Sequence, residues 1–208
     1  MQTLVLIFIL VILLFSIIIH ECAHGLVAEH YGDSTAREMG RITLNPIPHL
    51  DLIGSLLLPG MMILMSLMGH STPVIFGWAK PVPINPYNLN DPQKNMVGIG
   101  LAGPLANVIV AFIFSIISRI LPVFSPLVTT ILFYAVAINL VLAFFNLIPV
   151  PPLDGSRILS GLLPEEYAYR LSRLEPFGFI IILILIISGM LNFIFAGAMR
   201  LSMLLTGF

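Results

Sequence analysis

The sequence predicts an all-α polytopic membrane protein with about four spanning helices, a re-entrant element at 52–69 and a small β element near 37–46. The 208 residues are 58% hydrophobic and only 9% charged, and the mean hydropathy is +1.05. A soluble domain carries roughly 25% charged residues, so the bilayer must be the solvent of this chain. The length suits one folded unit, and we treat residues 1–208 as a single domain.

Long apolar stretches account for the predicted spans. A spanning helix needs about 20 residues, and four segments meet that length: 4–31, 97–120, 127–148 and 177–205. Residues 156–176 carry acidic and basic side chains at close intervals, which indicates a helix at the membrane interface. Residues 37–46 alternate partly between polar and apolar side chains, which is typical of a strand.

The segment 52–69 is apolar but interrupted near its centre by Pro59 and Gly60, which suits a turn within the membrane. Lys and Arg favour cytoplasmic loops. A full crossing would divide the nine basic residues almost evenly between the two sides. A re-entrant element places seven on one side and leaves Arg119 and Arg200 on the other. We therefore expect the segment to re-enter, with both termini outside.

This topology brings two distant parts of the chain to the same face of the membrane. The segments 4–31 and 127–148 then cross in the same direction. His20 and His24 near the end of the first segment, and Asp154 just beyond the second, come to a similar depth toward the cytosol. A full crossing of 52–69 would instead place Asp154 at the opposite face from the histidines.

Residues 20–24 read H-E-C-A-H, an H-E-x-x-H motif at the end of a segment that should lie in the membrane. His20 and His24 share one helix face. At this spacing they can hold one zinc ion, with Glu21 beside the open position of the metal. Ionisable groups at membrane depth are costly and are rarely without a function. The alternative is a chance pair of interfacial histidines beside a glutamate that reaches toward water.

A catalytic zinc ion has three protein ligands and one open position, so a third ligand must come from elsewhere in the chain. Asp154 is the candidate because it is a lone acid after an apolar span. It could equally cap a helix that starts near Ser156. Glu21 would act as general base toward a zinc-activated water. Asn146 would either donate to the oxyanion or satisfy carbonyl groups at its own helix end.

Charge and cysteine content argue against other classes of protein. The net charge of −1 lacks the concentrated basic surface that nucleic acid requires. Cys22 is the only cysteine, so an intrachain disulfide is impossible, and we expect it to be a buried filler rather than a ligand. The lipid bilayer is the expected partner, and nucleic acid is not. We expect a multi-pass integral protein of the cell membrane.

Three sequence blocks resemble the site-2 protease family of intramembrane zinc metalloproteases. They are the H-E-x-x-H motif, a Gly-Pro-x-x-Asn sequence at 103–107, and an N-x-x-P-x-P-x-L-D-G block at 146–155. The resemblance implies one Zn²⁺ ion held by His20, His24 and Asp154. It also implies that Glu21 is catalytic and that Asn146 assists the transition state or the substrate. The chain is similar to the minimal branch of this family, without PDZ or CBS domains.

Hydrolysis of peptide bonds in single-pass membrane proteins is the leading functional hypothesis. A metal transporter or sensor would use the same ligands without hydrolysis. It would need ionisable residues along several spans, and no charged side chain occurs in the interiors 101–118, 127–145 and 177–199. A catalytically dead relative is the third hypothesis, and the intact motif residues argue against it.

Overall fold

The computed structural model describes residues 2–57, 61, 79–120 and 125–207 of the chain. Every regular element within these residues is helical. The α-helices are, in chain order, α1 (Gln2–His30), α2 (Thr35–Glu38), α3 (Pro92–Ile120), α4 (Pro126–Asn146), α5 (Asp154–Leu162), α6 (Glu165–Ser172), α7 (Gly178–Ile187) and α8 (Asn192–Thr206). Short 3₁₀ turns lie at Ile47–His49, Pro86–Asn88 and Glu175–Phe177.

Three of the described helices are long and apolar enough to cross a membrane, namely α1, α3 and α4. They correspond to the first three predicted spans. Large apolar side chains such as Leu6, Ile7 and Leu10 on α1 are about half exposed. This outward-facing apolar surface is the one expected where lipid, and not water, surrounds the helix. The predicted interfacial helix at 156–176 is present as α5 and α6 with a break between them.

The predicted span at 177–205 is divided into two helices. α7 ends at Ile187 and α8 begins at Asn192. Gly189 between them has a φ of 74°, a conformation that glycine adopts without the steric cost other residues incur. The helical run Glu165–Ile187 and α8 differ in direction by 70°. A count of four spans therefore holds only if this bent pair crosses the membrane as one element.

The predicted β element is wrong. Residues 37–46, all of which the structure describes, contain no strand. The end of α2 instead closes its hydrogen bonds locally: Gly40 N donates to Arg37 O at 2.9 Å and Arg41 N donates to Ala36 O at 2.8 Å. Alternation over so few residues produces a strand only when a neighbouring strand offers ladder partners, and the described residues include no strand.

The predicted re-entrant element at 52–69 lies largely outside the described residues. Its first part, Leu52–Leu57, forms a π-helical turn. Asp51 accepts hydrogen bonds from the backbone of Ile53 at 3.0 Å and Gly54 at 2.7 Å, and so starts this turn.

Helix α3 occupies the centre of the helical assembly. It packs against α1, α4 and α5, while α4 also packs against α8. A buried apolar cluster joins α3, α4 and α8 through small and medium-sized residues: Ala111, Val136, Leu140 and Ala198. Small residues allow close approach of helices in lipid. The contacts of α3 with α1 and α5 bring together the two helices that carry the motif residues.

Asp33 ties the end of α1 to the segment that follows residue 79. Its side chain is fully buried, and its carboxylate accepts hydrogen bonds from Asn85 N at 2.7 Å, Asn88 Nδ2 at 3.0 Å and both the backbone and the hydroxyl of Thr35. Burial alone would raise the pKa of Asp33, but these hydrogen bonds outweigh it and hold the pKa below its ordinary value.

Replacing Asp33 should destabilise this junction. Asp33→Asn introduces an amide N–H against groups that are themselves donors, so we expect a loss of about 1–3 kcal/mol in the free energy of unfolding at neutral pH. Because the folded-state pKa is lowered, this stabilisation is present above about pH 4 and is lost as the pH falls through the folded-state pKa. Unfolding in detergent, followed by circular dichroism across pH, should show the difference from wild type shrinking in acid.

The exposed glutamate Glu166, which pairs with Arg170 on α6, provides the matched control. Glu166→Gln should leave the unfolding free energy close to that of wild type. An Asp33→Asn difference that stays constant down to pH 2 would contradict the assigned role of the carboxylate.

Candidate metal centre

His20, His24 and Asp154 meet in the interior of the helical assembly. Their side chains are buried, with 6%, 2% and 5% of each residue exposed. His20 Nε2 lies 3.0 Å from Asp154 Oδ2, His24 Nε2 lies 3.2 Å from the same oxygen, and the two Nε2 atoms are 3.1 Å apart. Three potential ligand atoms thus form a nearly equilateral triangle, and the group could hold a metal ion.

The local structure of each segment explains this convergence. His20 and His24 are one turn apart on α1 and therefore share a face. Asp154 is the first residue of α5, and its carboxylate points toward α1 rather than at its own helix. The N-cap position is Leu153, and no side chain caps this helix. Of the two roles the local sequence allowed Asp154, the geometry favours the one that faces the histidines.

Two glycines make room for the centre. A Cβ atom on Gly103 would lie 2.5 Å from ring atoms of both His20 and His24, so α3 can approach the imidazoles only where it has no side chain. A Cβ atom on Gly155 would collide with the carbonyl groups of Leu147 and Ile148. Glycine there lets the chain fold back after α4, which turns Asp154 toward α1.

The other ring nitrogen of each histidine shows where the imidazole protons lie. His24 Nδ1 donates to the carbonyl oxygen of Ile99 at 2.6 Å, and His20 Nδ1 donates to Asn107 Oδ1 at 2.6 Å. Both oxygens can only accept. The neutral rings therefore carry their protons on Nδ1, and each Nε2 presents a lone pair to the centre of the triangle.

Two lone pairs and a carboxylate oxygen within 3.0–3.2 Å of one another repel unless a cation or a shared proton lies between them. Tetrahedral zinc, with ligand distances of about 2.0–2.1 Å, separates its ligands by about 3.3 Å. The spacing and the donor types, two imidazoles and one carboxylate, therefore fit a divalent ion such as zinc. The second carboxylate oxygen of Asp154 faces Arg157 NH1 at 3.6 Å, one turn along α5.

Glu21 lies beside the triangle and is held by the segment after residue 79. Its Oε2 accepts a hydrogen bond from Val82 N at 2.7 Å. Val82 is buried, and its segment is fixed by Arg41, which donates to the carbonyl oxygens of Lys80 at 2.7 Å and Pro81 at 3.2 Å. Within the described part of the chain Glu21 Oε1 makes no hydrogen bond, so one carboxylate oxygen is available to a proton.

Asn146 does not contact the triangle. Its Nδ2 donates to Leu142 O at 3.0 Å on the same helix, and the residue ends α4. This is the helix-end bonding that the sequence left open as the alternative role. The block 146–155 nevertheless places Asn146 at the start of the connection that leads to Asp154.

The sequence reasoning missed two contributors to the centre, Asn139 and Val82. Asn139 is fully buried in α4 and bonds to Asn107. The available signal was its position as a lone amide in an apolar span, since polar groups at membrane depth usually have a function. No sequence signal marks Val82, because its backbone N–H, and not its side chain, contacts Glu21.

Known proteins resemble this chain over most of its length. The sequence profile described as Peptidase family M50 matches residues 122–188. YwhC of Bacillus subtilis, named as a candidate zinc metalloprotease, is 36% identical over 195 residues, which cover 90% of this chain and 83% of YwhC. The chain belongs to peptidase family M50. The resemblance to site-2 proteases that the three sequence blocks indicate is therefore confirmed.

Two further relatives of this M50 chain come from other lineages. Rip2 of Mycolicibacterium smegmatis, also named as a candidate zinc metalloprotease, is 30% identical over 89% of the chain and 70% of Rip2. The zinc metalloprotease MJ0392 of Methanocaldococcus jannaschii is 28% identical over 77% of the chain and 36% of that protein. No solved structure gives a significant match to the chain.

The close approach of Gly103 to the imidazoles can be tested by adding one methyl group. Gly103→Ala should displace at least one ring and weaken the affinity for a divalent metal ion by at least tenfold, measured by competition with a chromophoric chelator. Gly197→Ala on α8 is the control, because a Cβ atom there meets nothing within 4 Å, and it should bind metal like wild type. Equal affinities for the two variants would show that α3 does not constrain the centre.

Proposed function

We propose that this protein is an intramembrane zinc metalloendopeptidase that hydrolyses peptide bonds in membrane-spanning substrates. The observation that carries the proposal is the buried triangle of His20 Nε2, His24 Nε2 and Asp154 Oδ2 with a glutamate beside it. Membership of peptidase family M50, and the names of relatives as zinc metalloproteases, support the same reaction. The whole chain, 1–208, would act as one catalytic domain in the cell membrane.

Zinc would be held by His20, His24 and Asp154, with an open position for water. When bound, it would act as a Lewis acid and lower the pKa of a coordinated water toward about 7. Glu21 would accept the proton that the water loses and would donate it to the leaving amine through Oε1. Val82 N–H, bonded to Oε2, would keep this carboxylate oriented throughout.

Asn146 would assist the transition state or the bound peptide through its amide N–H groups. One of these is bonded to Leu142 O on the same helix. The assistance would require either the second N–H or a rotation of the side chain when the substrate arrives. This role is the part of the proposal that rests most on the family resemblance.

A cavity of about 380 Å³ is the candidate site for an extended peptide. Its lining includes Val82, which bonds to Glu21, and Arg157, which faces Asp154. Ile84 and Met96 add apolar surface to the same cavity. A peptide in this cavity would contact Val82 and Arg157, and through them would be linked to the general base and to one ligand. A spanning substrate helix would first have to unwind, because its carbonyl groups are otherwise engaged in its own hydrogen bonds.

The role of Glu21 can be separated from metal binding by an isosteric change. Glu21→Gln can still accept a hydrogen bond from Val82 N but cannot take up a proton at neutral pH. We expect cleavage to fall by about 10²–10⁴-fold, with zinc content unchanged at one per chain. The assay is proteoliposome cleavage of a single-pass model protein with an apolar span of about 20 residues, labelled at both ends.

Glu29→Gln on the same helix is the matched control. Glu29 pairs with Arg37 outside the centre, so this variant should cleave at nearly the wild-type rate. Wild-type cleavage by Glu21→Gln would remove Glu21 from the proposed mechanism.

A further inference from the structure

We propose that Asn107 is a positioning residue for the metal centre, and that Asn139 and Ser16 hold it in its working orientation. The inference rests on the proposed function, because it concerns the ligand His20. Asn107 lies one turn after Gly103 on α3 and is fully buried. Its Oδ1 accepts a hydrogen bond from His20 Nδ1 at 2.6 Å, a distance that leaves no room for an intervening group.

An asparagine amide can be placed in two orientations, and only its partners decide between them. Here Asn107 Nδ2 donates to the backbone oxygen of Ser16 at 3.2 Å and to Asn139 Oδ1 at 2.9 Å. The backbone oxygen of Ser16 can only accept. The amino group of Asn107 must therefore face Ser16, which turns its oxygen toward His20.

Asn139 is itself fixed by the backbone of its own helix. Its Nδ2 donates to Ala135 O at 2.9 Å and to Ser16 Oγ at 2.9 Å. A reversed amide would place its oxygen against the Ala135 carbonyl oxygen, so Asn139 Oδ1 is the atom that faces Asn107. In this arrangement both amide groups donate only to oxygen atoms that can accept.

The contact with Asn107 determines which ring nitrogen of His20 carries the proton, as well as where the ring lies. With Asn107 Oδ1 as its neighbour, Nδ1 must carry the proton, and Nε2 must present its lone pair toward His24 and Asp154. A reversed Asn107 amide would set N–H against N–H in an apolar interior, where an unsatisfied donor costs more than it does in water. Ser16 lies one turn before His20 on α1, so the network connects α1, α3 and α4 at the level of the ligand.

A purely structural bridge would not need the contact with His20. If Asn107 served only to join α1, α3 and α4, its amino group would do this alone through Ser16 and Asn139. The oxygen would then be irrelevant to metal binding. The two roles therefore use different atoms of one side chain, and a pair of substitutions can separate them.

The test compares Asn107→Leu with Asn107→Asp. Both variants remove the amino group that donates to Ser16 and Asn139, and only Asn107→Asp keeps an oxygen facing His20 Nδ1. Zinc affinity is measured on the full chain in nanodiscs by competition with a chromophoric chelator, and the visible spectrum of bound Co²⁺ reports the ligand geometry. Loss of a hydrogen-bond partner of a metal-bound histidine typically weakens affinity 10–100-fold.

We expect Asn107→Leu to weaken zinc binding by about 10–100-fold and to alter the Co²⁺ spectrum, while Asn107→Asp, which keeps an acceptor for His20 Nδ1, should bind zinc clearly more tightly than Asn107→Leu. Ser115→Ala on the same helix is the control and should match wild type, because the Ser115 hydroxyl donates to Phe112 O within α3, away from the ligands. Equal weakening in Asn107→Leu and Asn107→Asp, or wild-type affinity in Asn107→Leu, would overturn the positioning role.

A second pair of variants keeps the inference testable if the Asn107 variants fail to fold. Asn139→Leu removes the oxygen that orients Asn107 and should weaken zinc binding several-fold, whereas Asn139→Asp keeps that oxygen and should bind zinc more tightly than Asn139→Leu, although it loses the N–H groups that bond to Ala135 O and Ser16 Oγ. Equal affinities in this pair would overturn the role of Asn139.

A wild-type protein that binds no zinc, or an Asp154→Ala protein that binds it as tightly as wild type, would contradict the metal centre and with it the proposed function.

Discussion

The site depends on one constraint. Three electron-pair donors face one another in a protein interior that lipid surrounds. The ligand atoms of His20, His24 and Asp154 lie within 3.0–3.2 Å of one another, and each histidine has its proton on the opposite nitrogen. Such a group is unfavourable without a positive charge at its centre. The surrounding helices must therefore hold it together, and a positive charge, either a metal ion or a shared proton, must compensate it.

The helical packing meets this requirement through backbone proximity rather than through large side chains. α3 reaches the imidazoles at Gly103. One turn to either side of Gly103, the oxygens of Ile99 and Asn107 accept hydrogen bonds from the two Nδ1–H groups. α5 reaches them because Gly155 lets the chain reverse after α4. In the bilayer no water can satisfy a polar group left over. The amides of Asn107 and Asn139 therefore serve both to bond the helices and to complete the surroundings of the centre.

The sequence predicts the residues of the metal centre better than it predicts the helices and turns around them. The i, i+4 spacing predicts that His20 and His24 share one face, and the structure brings Asp154 to them, although local sequence alone allowed Asp154 to be a helix cap. Hydropathy could not detect the break at 188–191, because the turn contains no charged residue and lies between two apolar segments. The alternation at 37–46 indicated a strand, but pairing depends on a neighbour that the pattern does not contain. Asn139 was missed because an isolated polar residue does not reveal which distant residue it contacts.

X-ray absorption at the zinc edge of the purified wild-type protein would identify the metal ligands themselves. We expect one zinc per chain with two imidazole nitrogens and carboxylate or water oxygens at about 2.0–2.1 Å. Asp154→Ala should lose this signal, or lose one oxygen from the first coordination shell. A protein without bound zinc, or a shell containing sulfur at about 2.3 Å from Cys22, would contradict the assignment of the ligands.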